Sequence, residues 1–120
     1  MAHILIVDDS VSIRKSVRFV LEESSHTVRE AQDGVEGLAA LKEERFNLII
    51  TDINMPVMGG IEFTGHIRAL PDYRFTPVLV LTTESQGSVM EEGKKAGATG
   101  WIVKPFTNDK LLDTVAKVLG

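Results

Sequence analysis

Four short apolar runs in this chain each end at, or are directly followed by, residues with a carboxylate, hydroxyl or ammonium side chain. The runs cover residues 4–7, 48–51, 78–81 and 102–103, and helical periodicity fills the stretches between them. If the runs are parallel strands linked by helices, they all point the same way and their carboxyl ends share one sheet edge. That edge would gather Asp8, Asp9, Asp52, Thr82 and Lys104.

Five segments have the residue pattern of strands. Ile4 to Val7 is an unbroken aliphatic run, as expected for a central strand buried on both faces. A second, weaker candidate covers Thr27 to Glu30. The other candidates are Asn47 to Asp52, Val78 to Leu81 and Gly100 to Val103.

Helical periodicity follows each of the first three strands. Ser10 and Asp33 are suited to cap the first two helices, the first of which extends to about Glu23. The third helix covers Ile61 to Leu70, after a loop over Met55 to Gly60 that proline and glycine impose. The side chains that these helices are expected to bury are Ile13, Val17, Val20, Leu21, Val35, Leu38, Leu41, Phe63, Ile67 and Leu70.

The last two helices differ in predicted strength. Ser85 to Ala96 is the weakest candidate because Gly87 and Gly93 lie inside it, each costing about 1 kcal/mol relative to alanine. We therefore expect this segment to be mobile. Thr107 is suited to cap the final helix. That helix is expected to bury Leu111, Leu112, Val115 and Leu119.

The alternation of strands and helices predicts an α/β fold, with a doubly wound parallel sheet covered by helices on both faces. A length of 120 residues suits one domain, so residues 1–120 are expected to share one core. Ligands of such sheets bind outside the carboxyl ends of the strands. The polar residues are predicted at that edge.

Charge and composition argue against several classes of partner. The net charge of −4 gives no electrostatic reason for nucleic acid or an anionic membrane to bind. The absence of cysteine from the sequence excludes disulfides and thiolate metal sites. No apolar run approaches the roughly 20 residues of a membrane span, and a cytoplasmic protein is expected.

Carboxylates gathered at one sheet edge repel one another, by roughly 4 kcal/mol per pair at about 4 Å and an effective dielectric of about 20. A hard cation offsets this repulsion, and Mg²⁺ favours carboxylates together with water and phosphate oxygens. With Mg²⁺ and Lys104 neutralising the incoming oxygens, Asp52 is a competent nucleophile toward phosphorus, and Thr82 can donate a hydrogen bond. A nucleotide is not the expected phosphoryl source, because the sequence has no glycine-rich nucleotide fingerprint.

Taken singly, each of these residues has an ordinary structural explanation. An Asp-Asp pair after a strand is more often a turn or a helix cap, and Lys104 alone would be a surface lysine. Their joint occurrence at one predicted edge favours the phosphoryl site. The histidines have no metal-ligand spacing and are interpreted as ordinary residues: His3, His26 and His66.

Short motifs follow one another along the chain: Ile-Val-Asp-Asp at 6–9, Asp-x-x-Met-Pro-x-Met-x-Gly at 52–60, Leu-Thr-Thr at 81–83 and Lys-Pro-Phe at 104–106. With these motifs, the chain resembles the receiver domains of two-component response regulators, in particular single-domain CheY-like chemotaxis regulators. The resemblance runs from Ile4 to Leu119 and implies the flavodoxin-like strand order 2-1-3-4-5 with five helices.

The resemblance implies that Asp52 is phosphorylated by a histidine kinase or its phosphotransfer domain. It also implies a set of Mg²⁺ ligands, namely Asp8, Asp9, Asp52 and the backbone carbonyl of Asn54. The protein would be a phosphoryl acceptor rather than a turnover enzyme, taking the group from small donors as well and removing it itself.

Further residues take their expected roles from the same resemblance. Thr82 and Lys104 would contact the phosphoryl group, and Lys104-Pro105 would be a cis peptide. Asn54 and Glu84 would tune how fast water removes the phosphoryl group. Both residues match the polar pair of fast-cycling chemotaxis regulators, so we expect a short-lived phosphoryl state.

Trp101 stands where the family usually has Tyr or Phe, an aromatic residue that turns inward on activation. If Trp101 switches, Thr82 would move toward the phosphoryl oxygen and the indole ring would fill the space. Otherwise Trp101 is a half-exposed strand residue packed on the last helix. By analogy, a downstream protein such as a flagellar motor component is expected to bind the helix 85–96, the strand 100–103 and the last helix.

Rival functions would need other residues at the same edge. An aspartyl-phosphate phosphatase of the haloacid dehalogenase class would be expected to have Asp-x-Asp after the first strand, where this chain has Asp8-Asp9-Ser10. A flavodoxin-like FMN carrier would need a phosphate loop rich in Ser, Thr and Gly there. A phosphorelay intermediate, the third alternative, would pass the phosphoryl group from Asp52 to a histidine-containing protein.

Overall fold

One parallel sheet forms the centre of the structure, a computed structural model that describes residues 1–83 and 87–120. Its strands are β1 (His3–Val7), β2 (Thr27–Ala31), β3 (Leu48–Asp52), β4 (Val78–Thr82) and β5 (Gly100–Val103). They lie in the order β2-β1-β3-β4-β5, and every neighbouring pair is parallel. The predicted α/β fold, its strand order and each predicted strand are confirmed.

The described helices are α1 (Val11–Glu23), α2 (Gly34–Glu43), α3 (Gly60–Ala69), α4 (Gly87–Ala96) and α5 (Asn108–Leu119), with a short 3-10 helix at Pro71–Tyr73. The predicted caps are confirmed, since Ser10, Asp33 and Thr107 each accept a hydrogen bond from a backbone N–H three residues on. Ser85, the predicted start of the fourth helix, lies outside the described residues. Within the described part of the chain, no helix is long and apolar enough to cross a membrane.

Helices cover the sheet on both faces and create two apolar layers. On one face the sheet packs against α1 and α5, and on the other against α2 and α3. The predicted core side chains that are buried are Val17, Val20, Leu21, Leu41, Phe63, Ile67, Leu111 and Val115. Those packed on the core while partly buried are Ile13, Leu38, Leu70, Leu112 and Leu119.

The prediction that α2 buries Val35 is wrong, because this side chain is 50% exposed. The buried residues of α2 are Gly34, Gly37, Ala40 and Leu41, so three of the four are small. A Cβ at Gly37 would lie 2.6 Å from the ring of Phe63 in α3. The ring of Phe63 therefore packs against α2 where Gly37 has no side chain, and the larger Val35 lies on the exposed side of the helix.

Candidate functional site

The carboxyl edge of the sheet brings together the polar residues that the strand pattern placed there. Asp8 directly follows β1, Asp52 ends β3, Thr82 ends β4 and Lys104 directly follows β5. Because β1, β3, β4 and β5 are parallel neighbours, these residues meet at one end of the sheet. The predicted site is thus present as a spatial cluster.

Three carboxylates form the acidic part of this cluster. Asp8, Asp9 and Asp52 each offer an oxygen within 4.8 Å of the others. Asp8 is fully buried, Asp52 is 7% exposed, and Asp9 lies at the exposed rim. The buried pair is fixed by the protein, since Ser10 N–H donates to Asp8 Oδ1 at 2.9 Å and Ile53 N–H donates to Asp52 Oδ1 at 2.9 Å.

Lys104 supplies the positive charge of the cluster. Its Nζ donates to Asp8 Oδ2 at 3.2 Å and to Asp52 Oδ1 at 3.3 Å. The Lys104 backbone N–H donates to the Thr82 carbonyl at 2.7 Å, which ties the lysine to the end of β4. The Lys104-Pro105 peptide is cis, as the resemblance implied.

The cluster holds more negative than positive charge. Burial raises the pKa of Asp52 above its ordinary value, and the neighbouring Asp8 carboxylate raises it further, while Lys104 and the Ile53 N–H oppose the shift. Ionised Asp52 is therefore held at an electrostatic cost. A cation placed among the carboxylates would remove this cost.

The donor set fits a divalent metal ion. Carboxylate oxygens are the ligands that hard cations prefer, and Mg²⁺ binds oxygen at about 2.0–2.1 Å, so opposite ligands lie about 4 Å apart. The oxygens of Asp8, Asp9 and Asp52 lie within 4.8 Å of one another, which is close to that span. Because Asp9 lies at the exposed rim, a cation bound here would face solvent, where water and a phosphate oxygen could complete its coordination.

Other predicted site residues lie around the cluster. Asn54 is exposed in the loop after β3 and lines a groove between α3 and α4, together with Ile61 and Val89. Thr82 is 1% exposed at the end of β4. Glu84 lies outside the described residues.

Trp101 is partly buried in β5 and borders a cavity of about 10 Å³. The cavity is also lined by Val80 and Thr82 of β4 and by Val89 of α4, among others. The next residue, Ile102, packs in the core beneath α1 and α5, so Trp101 lies on the α4 side of the sheet rather than on the last helix. The cavity has room for about one water molecule, so an inward turn of Trp101 requires its neighbours to move.

Gly60 is a site residue that the sequence pattern did not identify. Its backbone N–H donates to the Ile53 carbonyl at 2.8 Å, which holds the start of α3 against the end of β3. The glycine pair at 59–60 indicated only a loop, whereas Gly60 is the first residue of α3. A glycine at the predicted start of a helix, in the loop that follows a candidate nucleophilic residue, was the available signal.

Comparisons with known proteins give one consistent family. Residues 4–116 match a family model described as the response regulator receiver domain. Chemotaxis protein CheY-3 of Vibrio cholerae is 39% identical over 116 residues, covering 96% of this chain and 89% of that protein. The structure of chemotaxis response regulator CheY4 of Vibrio cholerae has a TM-score of 0.95 and 49% identity, covering 98% of each chain.

A third relative carries a metal ion. The receiver domain of sensor histidine kinase PA1611 from Pseudomonas aeruginosa has a TM-score of 0.92 and 25% identity to this chain. The match covers 99% of this chain and 98% of that one. In that structure a magnesium ion is coordinated in the active site cleft.

Proposed function

Because the chain belongs to the response regulator receiver family, we propose that it is a CheY-like switch that accepts a phosphoryl group on Asp52 from a histidine kinase. The phosphorylated form then binds a downstream protein. The observation that carries this proposal is the Asp52 carboxylate, with Lys104 Nζ at 3.3 Å and the Asp8 and Asp9 oxygens within 4.8 Å. Because the receiver family consists of signalling proteins, membership in it also argues against a phosphatase or an FMN carrier.

Each residue of the cluster has a separate role in this transfer. An Asp52 carboxylate oxygen forms the new P–O bond while the bond from phosphorus to the donor breaks. The Lys104 ammonium offsets the negative charge of the phosphoryl oxygens, and the Thr82 hydroxyl donates a hydrogen bond to one of them. Mg²⁺, held by Asp8, Asp9, Asp52 and the Asn54 carbonyl, would supply charge neutralisation and orient the incoming group.

The phosphoryl group is proposed to be short-lived. Asn54 is exposed two residues after Asp52, and its side chain would act on the water that attacks the phosphoryl group. Glu84 is assigned the companion role from the family motif alone. The output would be a shift in an existing equilibrium of the α4, β5 and α5 surface, with Trp101 following the movement of Thr82.

The proposed pathway is chemotaxis, because the relatives CheY-3 and CheY4 are chemotaxis proteins. The downstream partner would then be a protein such as a flagellar motor component, and the setting would be the cytoplasm. A receiver acting as a phosphorelay intermediate would use the same site, so the fate of the phosphoryl group distinguishes the two roles.

The test combines Mg²⁺ and acetyl phosphate with the wild type, Asp52→Asn and the matched control Asp113→Asn, which changes an exposed aspartate of α5. Intact mass and Trp101 fluorescence are followed together. One phosphoryl group on the wild type and on Asp113→Asn, but none on Asp52→Asn, supports the proposal. Equal phosphorylation of all three proteins, or of none, contradicts it.

Two further measurements separate the alternatives. Transfer from phosphorylated Asp52 to a histidine-containing phosphotransfer protein would favour the phosphorelay role over the chemotaxis role. Multiple turnover of a phosphate monoester by the wild type would favour the phosphatase.

A further inference from the structure

The main chain of Asp8 is held from both sides. Its N–H donates to the Ala31 carbonyl of β2 at 3.1 Å, and its carbonyl accepts a hydrogen bond from Nη1 of Arg14 in α1. Asp9 is the next residue, and within residues 1–83 and 87–120 no hydrogen bond or ion pair fixes its exposed carboxylate. The direction of the Asp9 side chain therefore depends on how firmly the Asp8–Asp9 backbone is held.

Arg14 is itself fixed by a largely buried partner. Its Nε donates to Oε1 of Glu30 at 3.0 Å, and the two side chains are only 14% and 12% exposed. Glu30 lies in β2 directly before Ala31, the residue that binds the Asp8 N–H. Strand β2 thus holds Asp8 twice, once through its own carbonyl and once through Glu30 and Arg14.

We propose that Arg14, locked by Glu30, is a positioning residue that presents the Asp8–Asp9 pair to Mg²⁺. This inference rests on the proposed metal site and adds a residue that does not touch the metal. Mg²⁺ demands near-ideal octahedral geometry, so a small rotation of the Asp9 backbone displaces a ligand oxygen and weakens binding. Residues that orient metal ligands typically contribute about 10–100-fold to metal affinity.

A lysine at position 14 separates geometry from charge. Arg14 spans Glu30 and the Asp8 carbonyl with two nitrogens of one planar group, whereas a lysine has one ammonium and the same charge. A loss of Mg²⁺ affinity in Arg14→Lys would therefore come from a change in the position of Asp8 and Asp9, and not from a change in charge. A variant that removes the positive charge altogether should, by charge alone, bind Mg²⁺ more tightly, because a nearby cation repels Mg²⁺.

Arg18 provides a matched control on the same helix. It donates to Glu30 Oε2 at 2.8 Å and to Glu22 Oε2 at 3.1 Å, but makes no recorded contact with Asp8 in the described part of the chain. Arg18→Lys perturbs the ion pairs of Glu30 as Arg14→Lys does. It leaves the hydrogen bond to the Asp8 carbonyl intact.

The experiment titrates Mg²⁺ alone into the full chain by isothermal calorimetry. We expect Arg14→Lys to bind Mg²⁺ about 10-fold more weakly than the wild type, and Arg18→Lys to stay within about 2-fold of it. If Arg14→Lys binds Mg²⁺ as tightly as the wild type, or if both variants lose affinity equally, this inference is overturned. The proposed metal site is then unaffected. A wild type that binds no Mg²⁺ overturns the proposed metal site as well, which distinguishes the two failures.

A second variant covers the case in which Arg14→Lys does not fold. Arg14→Met keeps the apolar stem and removes the charge, so weaker Mg²⁺ binding supports positioning and tighter binding supports a charge effect alone. Amide hydrogen exchange of Asp8, whose N–H donates to the Ala31 carbonyl, gives an independent readout in the metal-free protein. Faster exchange in the Arg14 variants than in Arg18→Lys is expected, and equal exchange overturns the inference.

Discussion

Gly60 packs directly on the backbone of Asp52. A Cβ at Gly60 would lie 2.1 Å from the Asp52 carbonyl oxygen and 2.9 Å from Cα of Ile53. Backbone atoms cannot yield as the end of a flexible side chain can, so any side chain here must push α3 away from the end of β3. Gly60 therefore sets where the candidate phosphoryl acceptor lies relative to α3.

Gly60→Ala is expected to lower the free energy of unfolding by about 3 kcal/mol, because overpacking against backbone cannot relax. The matched control is Gly65→Ala in the same helix, where a Cβ meets nothing within 4 Å. That change should raise stability by about 1 kcal/mol through helix propensity. Urea unfolding of both variants measures this, and equal effects would show that the close approach does not constrain the chain.

Strands β1, β3 and β4 and the site edge were predictable because each of these strands is a short, mostly aliphatic run with a polar residue at or just after its end. Hydrophobic periodicity was less reliable for α2, since the residues that pack are Gly34 and Gly37 rather than Val35. Close backbone approach leaves no apolar signal in a sequence, which is also why Gly60 escaped notice. The family resemblance, not the pattern, supplied the strand order and the cis peptide at Lys104-Pro105.

Asp52→Asn should stabilise the metal-free protein near pH 7. The pKa of Asp52 is raised mainly by burial and then by Asp8, so the folded protein holds the proton more tightly than the unfolded chain. The stability of the neutral form is fully present below the unfolded pKa of about 3.9 and is lost as pH rises through the folded pKa. The asparagine avoids that loss, so the variant should be the more stable of the two near pH 7.

Chemical unfolding with a chelator present measures the effect, and Asp113→Asn is the exposed control. The gap between wild type and Asp52→Asn should close as pH falls below about 4, where both side chains are neutral. A less stable Asp52→Asn near pH 7 would mean that attraction to Lys104 outweighs burial and repulsion by Asp8.

Val57 occupies a backbone conformation that β-branched residues disfavour. Its φ is 70°, and Met58 N–H donates to the Pro56 carbonyl at 2.7 Å across it, which is a three-residue turn. The side chain is 80% exposed, so little burial is lost on replacement. Val57→Asn should raise stability by about 1 kcal/mol because asparagine tolerates the left-handed region better.

Val35→Asn is the control for this substitution, since Val35 is 50% exposed in the regular helix α2. Its unfolding free energy should stay within about 0.5 kcal/mol of the wild type. Thermal and urea unfolding compare the variants. An equal gain in both would mean that the loss of an exposed apolar side chain, and not relief of the turn, raises stability.

Glu30 is expected to contribute stability that is lost at acid pH. Burial acts to raise the pKa of Glu30, but hydrogen bonds from Arg18, Lys15 and Arg14 outweigh it and the pKa is lowered. A lowered folded pKa gives stability that is present above the unfolded pKa, about 4.3, and lost as pH falls through the folded pKa. Glu30→Gln should therefore cost about 2 kcal/mol near pH 7, as expected for charged hydrogen bonds.

Urea unfolding of Glu30→Gln and the wild type near pH 7 and near pH 3 tests this, with the exposed Glu23→Gln as control. The difference between Glu30→Gln and the wild type should shrink at the lower pH, because the wild-type carboxyl becomes neutral and its ion pairs weaken. Glu23→Gln should match the wild type at both pH values. A gap for Glu30→Gln that is as large near pH 3 as near pH 7 would show that packing, and not charge, is what Glu30 supplies between β2 and α1.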